Sequence, residues 1–129
     1  MTENCIITGN VAYSGSITEC HVVNSLIFDN HATFRRSVGY NMSLSGCVID
    51  RNTGNYPIEY FEYLRNCTIG PNNNTPVIRF LRTVSVDKPR VINTLVLSGE
   101  ERSVGTDVAA KNSIFVKGCG VNTELLTDC

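Results

Sequence analysis

Tryptophan is absent from this sequence, proline occurs four times and histidine twice. No apolar run approaches the roughly 20 residues that a membrane-spanning helix needs, so membrane insertion is not expected. Charge is equally sparse. Acidic and basic residues cancel to a formal net of −1, which offers no electrostatic reason for nucleic acid or an anionic membrane as partner. Met1-Thr2-Glu3-Asn4 lack the basic and apolar regions of a secretion signal. No C-x-x-C pair relates Cys5, Cys20, Cys47, Cys67, Cys119 and Cys129, and only His21 and His31 could join them, so no metal site is expected. No Gly-rich phosphate loop and no Ser-His-Asp or Cys-His arrangement can be picked out. What remains, 42% hydrophobic and 18% charged residues, suits one folded domain rather than a disordered chain.

What the sequence does have is a heptapeptide written six times. Asn66-Cys67-Thr68-Ile69-Gly70-Pro71-Asn72 has counterparts beginning at Asn4, Asn24, Gly46, Asn93 and Asn112, at intervals of 20, 22, 20, 27 and 19 residues. The copies align into columns. The second position is Cys5, Ser25, Cys47, Cys67, Thr94 and Ser113, and the fourth is Ile7, Ile27, Ile49, Ile69, Val96 and Phe115. Two residues before the copies stands a further apolar column, Val22, Leu44, Leu64, Val91 and Ala110. Side chains alternate across a strand, so the second and fourth columns face the same way, and their composition assigns them to a shared core. A column that exchanges Cys, Ser and Thr reads as a small buried slot holding free thiols; Cys119 and Cys129 stand apart from it.

The first position is Asn in five copies, and the seventh is Asn10, Asn30, Asn52, Asn72, Gly99 and Gly118. Both residue types tolerate a left-handed backbone, so these columns predict corners, and stacked Asn side chains predict a hydrogen-bonded ladder. Between copies lie further strand candidates: Ser16–Val23, Ala32–Phe34, Ser37–Tyr40, Tyr56–Leu64 and Thr75–Leu81, with Pro57 and Pro76 marking two strand starts. The long interval around Arg82–Arg90 predicts an extra surface loop. No segment reads as an amphipathic helix.

A strand of this length bracketed by Asn/Gly corners resembles a rung of the right-handed parallel β-helix, the pectate-lyase-like superfamily, over residues 4–118. The resemblance implies an all-β solenoid of about six rungs, three short strands to each, with few or no helices. It implies one β-helix domain over residues 1–129, a segment of a longer β-helix in an extracellular or cell-surface protein of bacterial or phage origin. Polysaccharide contact is the role it implies first, and a non-catalytic binding or structural module the reading that follows. Open solenoid ends expose backbone edges and apolar side chains, so self-association through them is one expected partner mode.

Three sets of residues are candidates for function. Asp29, with Asp50 and Arg51 one rung on, is the nearest approach to the carboxylate clusters of lyases and hydrolases; the opposing reading is a solvated ion pair between turn residues. Calcium enters as cofactor only if the chain is a lyase, and two carboxylates with Asn30 and Asn52 fall short of the six or more ligands it takes. Tyr56, Tyr60 and Tyr63 offer aromatic surface for sugar, with Phe61 turned to the core. Lastly, if the second and fourth columns face inward, the third faces out. Ile6, Leu26, Val48, Leu95 and Ile114 then form an apolar stripe, which is either filled by strand propensity or is the contact face of an oligomeric spike or adhesin.

Overall fold

The computed structural model describes residues 1–34, 38–54, 58–72, 78–79, 90–97, 109–116 and 126–128. All regular structure among them is short parallel strand, wound as a β-solenoid. The first coil holds β1 (Thr2–Glu3), β2 (Ile6–Thr8), β3 (Val11–Ala12) and β4 (Ile17–Thr18). The second holds β5 (His21–Val23), β6 (Leu26–Phe28), β7 (His31–Ala32) and β8 (Gly39–Tyr40). The third holds β9 (Ser43–Ser45), β10 (Val48–Asp50), a bridge at Thr53 and β11 (Ile58–Glu59). Next come β12 (Tyr63–Arg65), β13 (Thr68–Ile69) and β14 (Ile78–Arg79), then β15 (Val91–Ile92) and β16 (Leu95–Leu97). The described chain continues with β17 (Ala110–Lys111), β18 (Ile114–Val116) and β19 (Leu126–Thr127).

These strands stack into four sheets rather than the expected three. Sheet A runs β1-β5-β9-β12-β15-β17-β19, sheet B β2-β6-β10-β13-β16-β18, sheet C β3-β7, and sheet D β4-β8-β11-β14. The solenoid makes about four turns, where six rungs were expected; sheet B has six strands, one for each copy of the heptapeptide. Register follows the sequence columns, with Ile7 against Ile27, Ile27 against Ile49, Ile49 against Ile69 and Ile69 against Val96.

Corners explain the fourth side. First-position residues Asn4, Asn24, Gly46, Asn66, Asn93 and Asn112 all adopt φ between 48° and 65°, bending the chain from sheet A into sheet B. The bend after sheet B is made by the sixth position, not the seventh: Gly9, Asp29 and Arg51 have φ of 68°, 52° and 49°. A third left-handed column, Glu19, Asn41 and Tyr60, joins sheet D to sheet A and carries no Asn/Gly signature. It splits the Ser16–Val23 and Tyr56–Leu64 candidates into two strands each, and it puts Tyr60 on a corner, half-buried, rather than in a strand. Pro57, Pro76, Arg82–Pro89, Cys119 and Cys129 lie outside the described residues.

The seventh column turns inward. Asn30 and Asn52 are fully buried, and each Asn donates from Nδ2 to Oδ1 of the next rung: Asn10 to Asn30 at 2.8 Å, Asn30 to Asn52 at 2.9 Å, Asn52 to Asn72 at 3.2 Å. The same Oδ1 atoms accept the backbone N–H of the rung before, at 3.2, 3.1 and 2.7 Å. Nδ2 of Asn52 also reaches the carbonyls of Ile27 and Asp50, both at 3.0 Å. Burying an amide is costly unless all its groups are paired, and here the corner carbonyls supply the partners.

The second column is selected by more than size. In every rung its side chain donates to the carbonyl two residues back: Cys5 to Glu3, Ser25 to Val23, Cys47 to Ser45, Cys67 to Arg65, Thr94 to Ile92 and Ser113 to Lys111, at 2.8–3.4 Å. Cys, Ser and Thr are the small side chains that carry a donor. Ser25 Oγ in turn accepts Cys5 N–H at 3.1 Å, and Ser113 Oγ accepts Thr94 N–H at 3.2 Å. Cys5, Cys20, Cys47 and Cys67 are free thiols, but Cys5 and Cys20 are half-buried where burial was expected. They flank strands that stand at the edges of their sheets among the described residues. The thiol–thiol contact with Cys47, together with burial, pushes Cys67 above the ordinary thiol range.

Val22, Ile27, Leu44, Ile49, Leu64, Ile69, Val91 and Val96 are inaccessible to solvent and run as continuous stacks up the interior. Phe61 joins them as expected.

Candidate functional site

The outer face of sheet B is where side chains of the third and fifth positions stand. From the third position Ile6 (67% exposed), Leu26 (43%), Val48 (42%) and Ile114 (64%) project into solvent, while Thr68 and Leu95 are half-buried. The fifth position adds Thr8, Phe28, Asp50, Gly70 and Leu97. Six strands in register therefore make one apolar strip, interrupted at the fourth rung by Thr68 and Gly70.

A depression of about 190 Å³ opens on this strip, lined by Leu26, Phe28, Val48, Asp50 and Arg51. Leu26 and Val48 are register partners on β6 and β10, and Phe28 pairs with Asp50. The left-handed corner at Arg51 throws its side chain back across the sheet edge. There its guanidinium binds Asp29 through Nε (2.9 Å to Oδ1) and Nη2 (3.2 Å to Oδ2), and Asp50 through Nη1 (2.8 Å to Oδ2). It also lies 5.6 Å from the Phe28 ring centroid. The structure thus brings Asp29, Asp50 and Arg51 together across two rungs.

Gly70 completes the arrangement. Any Cβ there would collide with Asp50 Oδ1, so the carboxylate of one rung occupies the space that the next rung leaves empty. The hydrogen bond from Arg51 holds the Asp29 carboxyl below its ordinary range, and the contact with Asp29 raises Arg51 in return. Both groups are solvated, so the exchange contributes little to stability. It favours the ionised forms of Asp29 and Arg51.

Of the three candidate tyrosines, the two described ones do not join this site. Tyr56 lies outside the described residues, and Tyr60 occupies the corner between sheets D and A. Tyr63 is on the outer face of sheet A, where its hydroxyl bonds His21 Nε2 and its ring meets the imidazole edge-on, centroids 5.4 Å apart. Arg65 lies 4.7 Å over the Tyr63 ring, so that aromatic face is occupied.

Sequence reasoning missed this sheet A cluster. His21, Ser43 and Tyr63 are register partners on three successive rungs, and Ser43 Oγ donates to Glu62 Oε2 at 2.8 Å. The repeat spacing alone could have aligned 21, 43 and 63, but nothing in residue type distinguished them. Also missed was the exposed stack of Tyr13 on Phe34, centroids 4.9 Å apart, just beyond sheet C. Among the described residues no three His, Cys, Asp or Glu side chains converge as metal ligands do.

Comparison with protein-family models, with curated proteins and with solved structures found no match.

Proposed function

We propose that this chain is a non-catalytic binding module of the parallel β-helix type, pectate-lyase-like in its rungs, whose sheet B face contacts carbohydrate. The observation that carries this reading is the depression lined by Leu26, Phe28 and Val48 with Asp50 and Arg51, the latter also bound to Asp29. An apolar floor suits the C–H face of a sugar ring, and a rim of fixed donors and acceptors suits its hydroxyls.

The rim chemistry favours binding over turnover. Glycoside hydrolysis requires one of two carboxyls to hold a proton at working pH, through a raised pKa. Here Asp29 and Asp50 share one guanidinium, and Asp29 is shifted down. Arg51, raised and engaged at three nitrogens, is equally unsuited to act as a lyase base.

The second reading, self-association through the sheet B strip as in a spike, meets a size problem. Six strands about 4.8 Å apart and three residues of about 3.3 Å give a strip of roughly 250 Å². A standard interface buries about 800 Å² on each partner. The strip has the dimensions of a ligand track.

The test is retention of the purified chain on immobilised glycans, with reducing ends assayed in parallel. We expect retention without release of reducing ends, and at least tenfold weaker binding in Leu26→Asp/Val48→Asp with unchanged circular dichroism. Reducing ends that appear with wild type and vanish in Asp50→Asn would replace this reading with an enzyme. A monodisperse oligomer that dissolves in the double variant would replace it with assembly.

A further inference from the structure

We propose that the sheet B depression sorts sugars by charge, taking a ring with a free ammonium in preference to a neutral ring and a neutral ring in preference to a uronate. This inference rests on the carbohydrate reading above. Asp50 and Arg51 line it and Asp29 is bound to that Arg51, so the three formal charges sum to one net negative charge.

Arg51 does not present an open fork for anions. Its Nε and Nη2 serve Asp29 and its Nη1 serves Asp50, so the fork geometry that would grip a sugar carboxylate is already taken. A uronate would approach a guanidinium whose charge is spent, beside two carboxylates.

An ammonium meets the opposite situation. Asp50 gives Oδ2 to Arg51, and its Oδ1, packed against Gly70, is not used by that ion pair; the side chain is 26% exposed. The Asp29 carboxylate is bound to Arg51, which lines the depression, and is about half exposed. Leu26 and Val48 contribute ring packing that is indifferent to charge, so discrimination resides in the rim. One unit of charge about 5–6 Å from a net charge of one, at an effective permittivity of about 40–80, changes affinity roughly three- to tenfold. The preference shrinks as salt rises, because these groups are solvated.

The experiment is calorimetric titration of the chain with β-linked tetramers of glucosamine, glucose and glucuronic acid, at low and high salt. The expected order is glucosamine, glucose, glucuronic acid, each step roughly three- to tenfold at low salt. Asp50→Asn should erase the advantage of the amine. Glu3→Gln, which removes one negative charge from sheet A, should leave it intact. A glucuronic tetramer bound as tightly as glucose, or a glucosamine tetramer bound no better, overturns the charge sorting while carbohydrate binding stands. An effect of Glu3→Gln equal to that of Asp50→Asn assigns the preference to overall charge and also overturns it. If none of the three tetramers binds, the carbohydrate reading falls and this inference with it.

Discussion

Two columns of asparagine stand on either side of sheet B, and they do different work. At the first position Asn4, Asn24, Asn66, Asn93 and Asn112 are exposed and left-handed, and Gly46 takes the same place. What that corner asks for is a backbone conformation. At the seventh position Asn30, Asn52 and Asn72 are buried, and the left-handed bend belongs to the residue before, as in Asp29 and Arg51. What that corner asks for is an amide that donates and accepts along the stack. Identical residue types at a fixed spacing thus conceal a conformational requirement and a hydrogen-bonding one.

The comparison breaks most visibly at Asn52, the centre of the ladder. Asn52→Ala removes both sides of the stack and the bonds Asn52 makes to the carbonyls of Ile27 and Asp50 and to the N–H of Asn30, so we expect a loss of about 3 kcal/mol in urea unfolding. Asn52→Gly should be no better. A loss below about 1 kcal/mol for either would show that the ladder is dispensable.

Ser25 comes next, because its hydroxyl both donates to Val23 and accepts from Cys5. Ser25→Ala should cost about 1–2 kcal/mol, and Ser25→Cys markedly less, as the column itself uses Cys in three rungs. Equal losses would return the column to a slot selected by size.

Asn66 sharpens the contrast from the exposed side. Asn66→Ala should cost about 1 kcal/mol through left-handed strain, whereas Asn66→Gly should be close to neutral. The pattern of glycine tolerated at 66 and not at 52 is the signature of the two roles. Thermal melts of the four single variants are enough to see it.

The smallest effect is electrostatic. Asp29 has a folded pKa below that of an ordinary aspartate, so any contribution is present above the unfolded value and is lost as pH falls through the folded one, below about pH 4. Carbon-detected NMR titration should place its midpoint under 3.8, and Arg51→Gln should bring it back toward that value. A midpoint unchanged by the substitution would mean that the ion pair does not form in solution.

Much of the interior could be read directly from the chain. Ile27, Ile49 and Ile69 recur at the rung period and become register partners, because a solenoid stacks each residue on its own counterpart. The outward placement of Ile6, Leu26, Val48 and Ile114 follows from the same alternation. The bend at Glu19, Asn41 and Tyr60 was not legible, since three unrelated side chains are held left-handed by the strands on either side. The ion pair of Arg51 with Asp29, 22 residues away, was one of the two readings the rung spacing offered, but the left-handed corner at Arg51 that accompanies it was not legible.

By itself the sequence determined the rung period, the inward columns and the presence of an Asn ladder, because each depends on local alternation repeated at an almost constant spacing. Only the tertiary structure decided the number of sides, which Asn residues turn the chain and which fill it, and the joining of Asp29, Asp50 and Arg51 at one depression. Those outcomes depend on where a side chain stands relative to the rungs above and below, and that relation exists only once the coils are stacked.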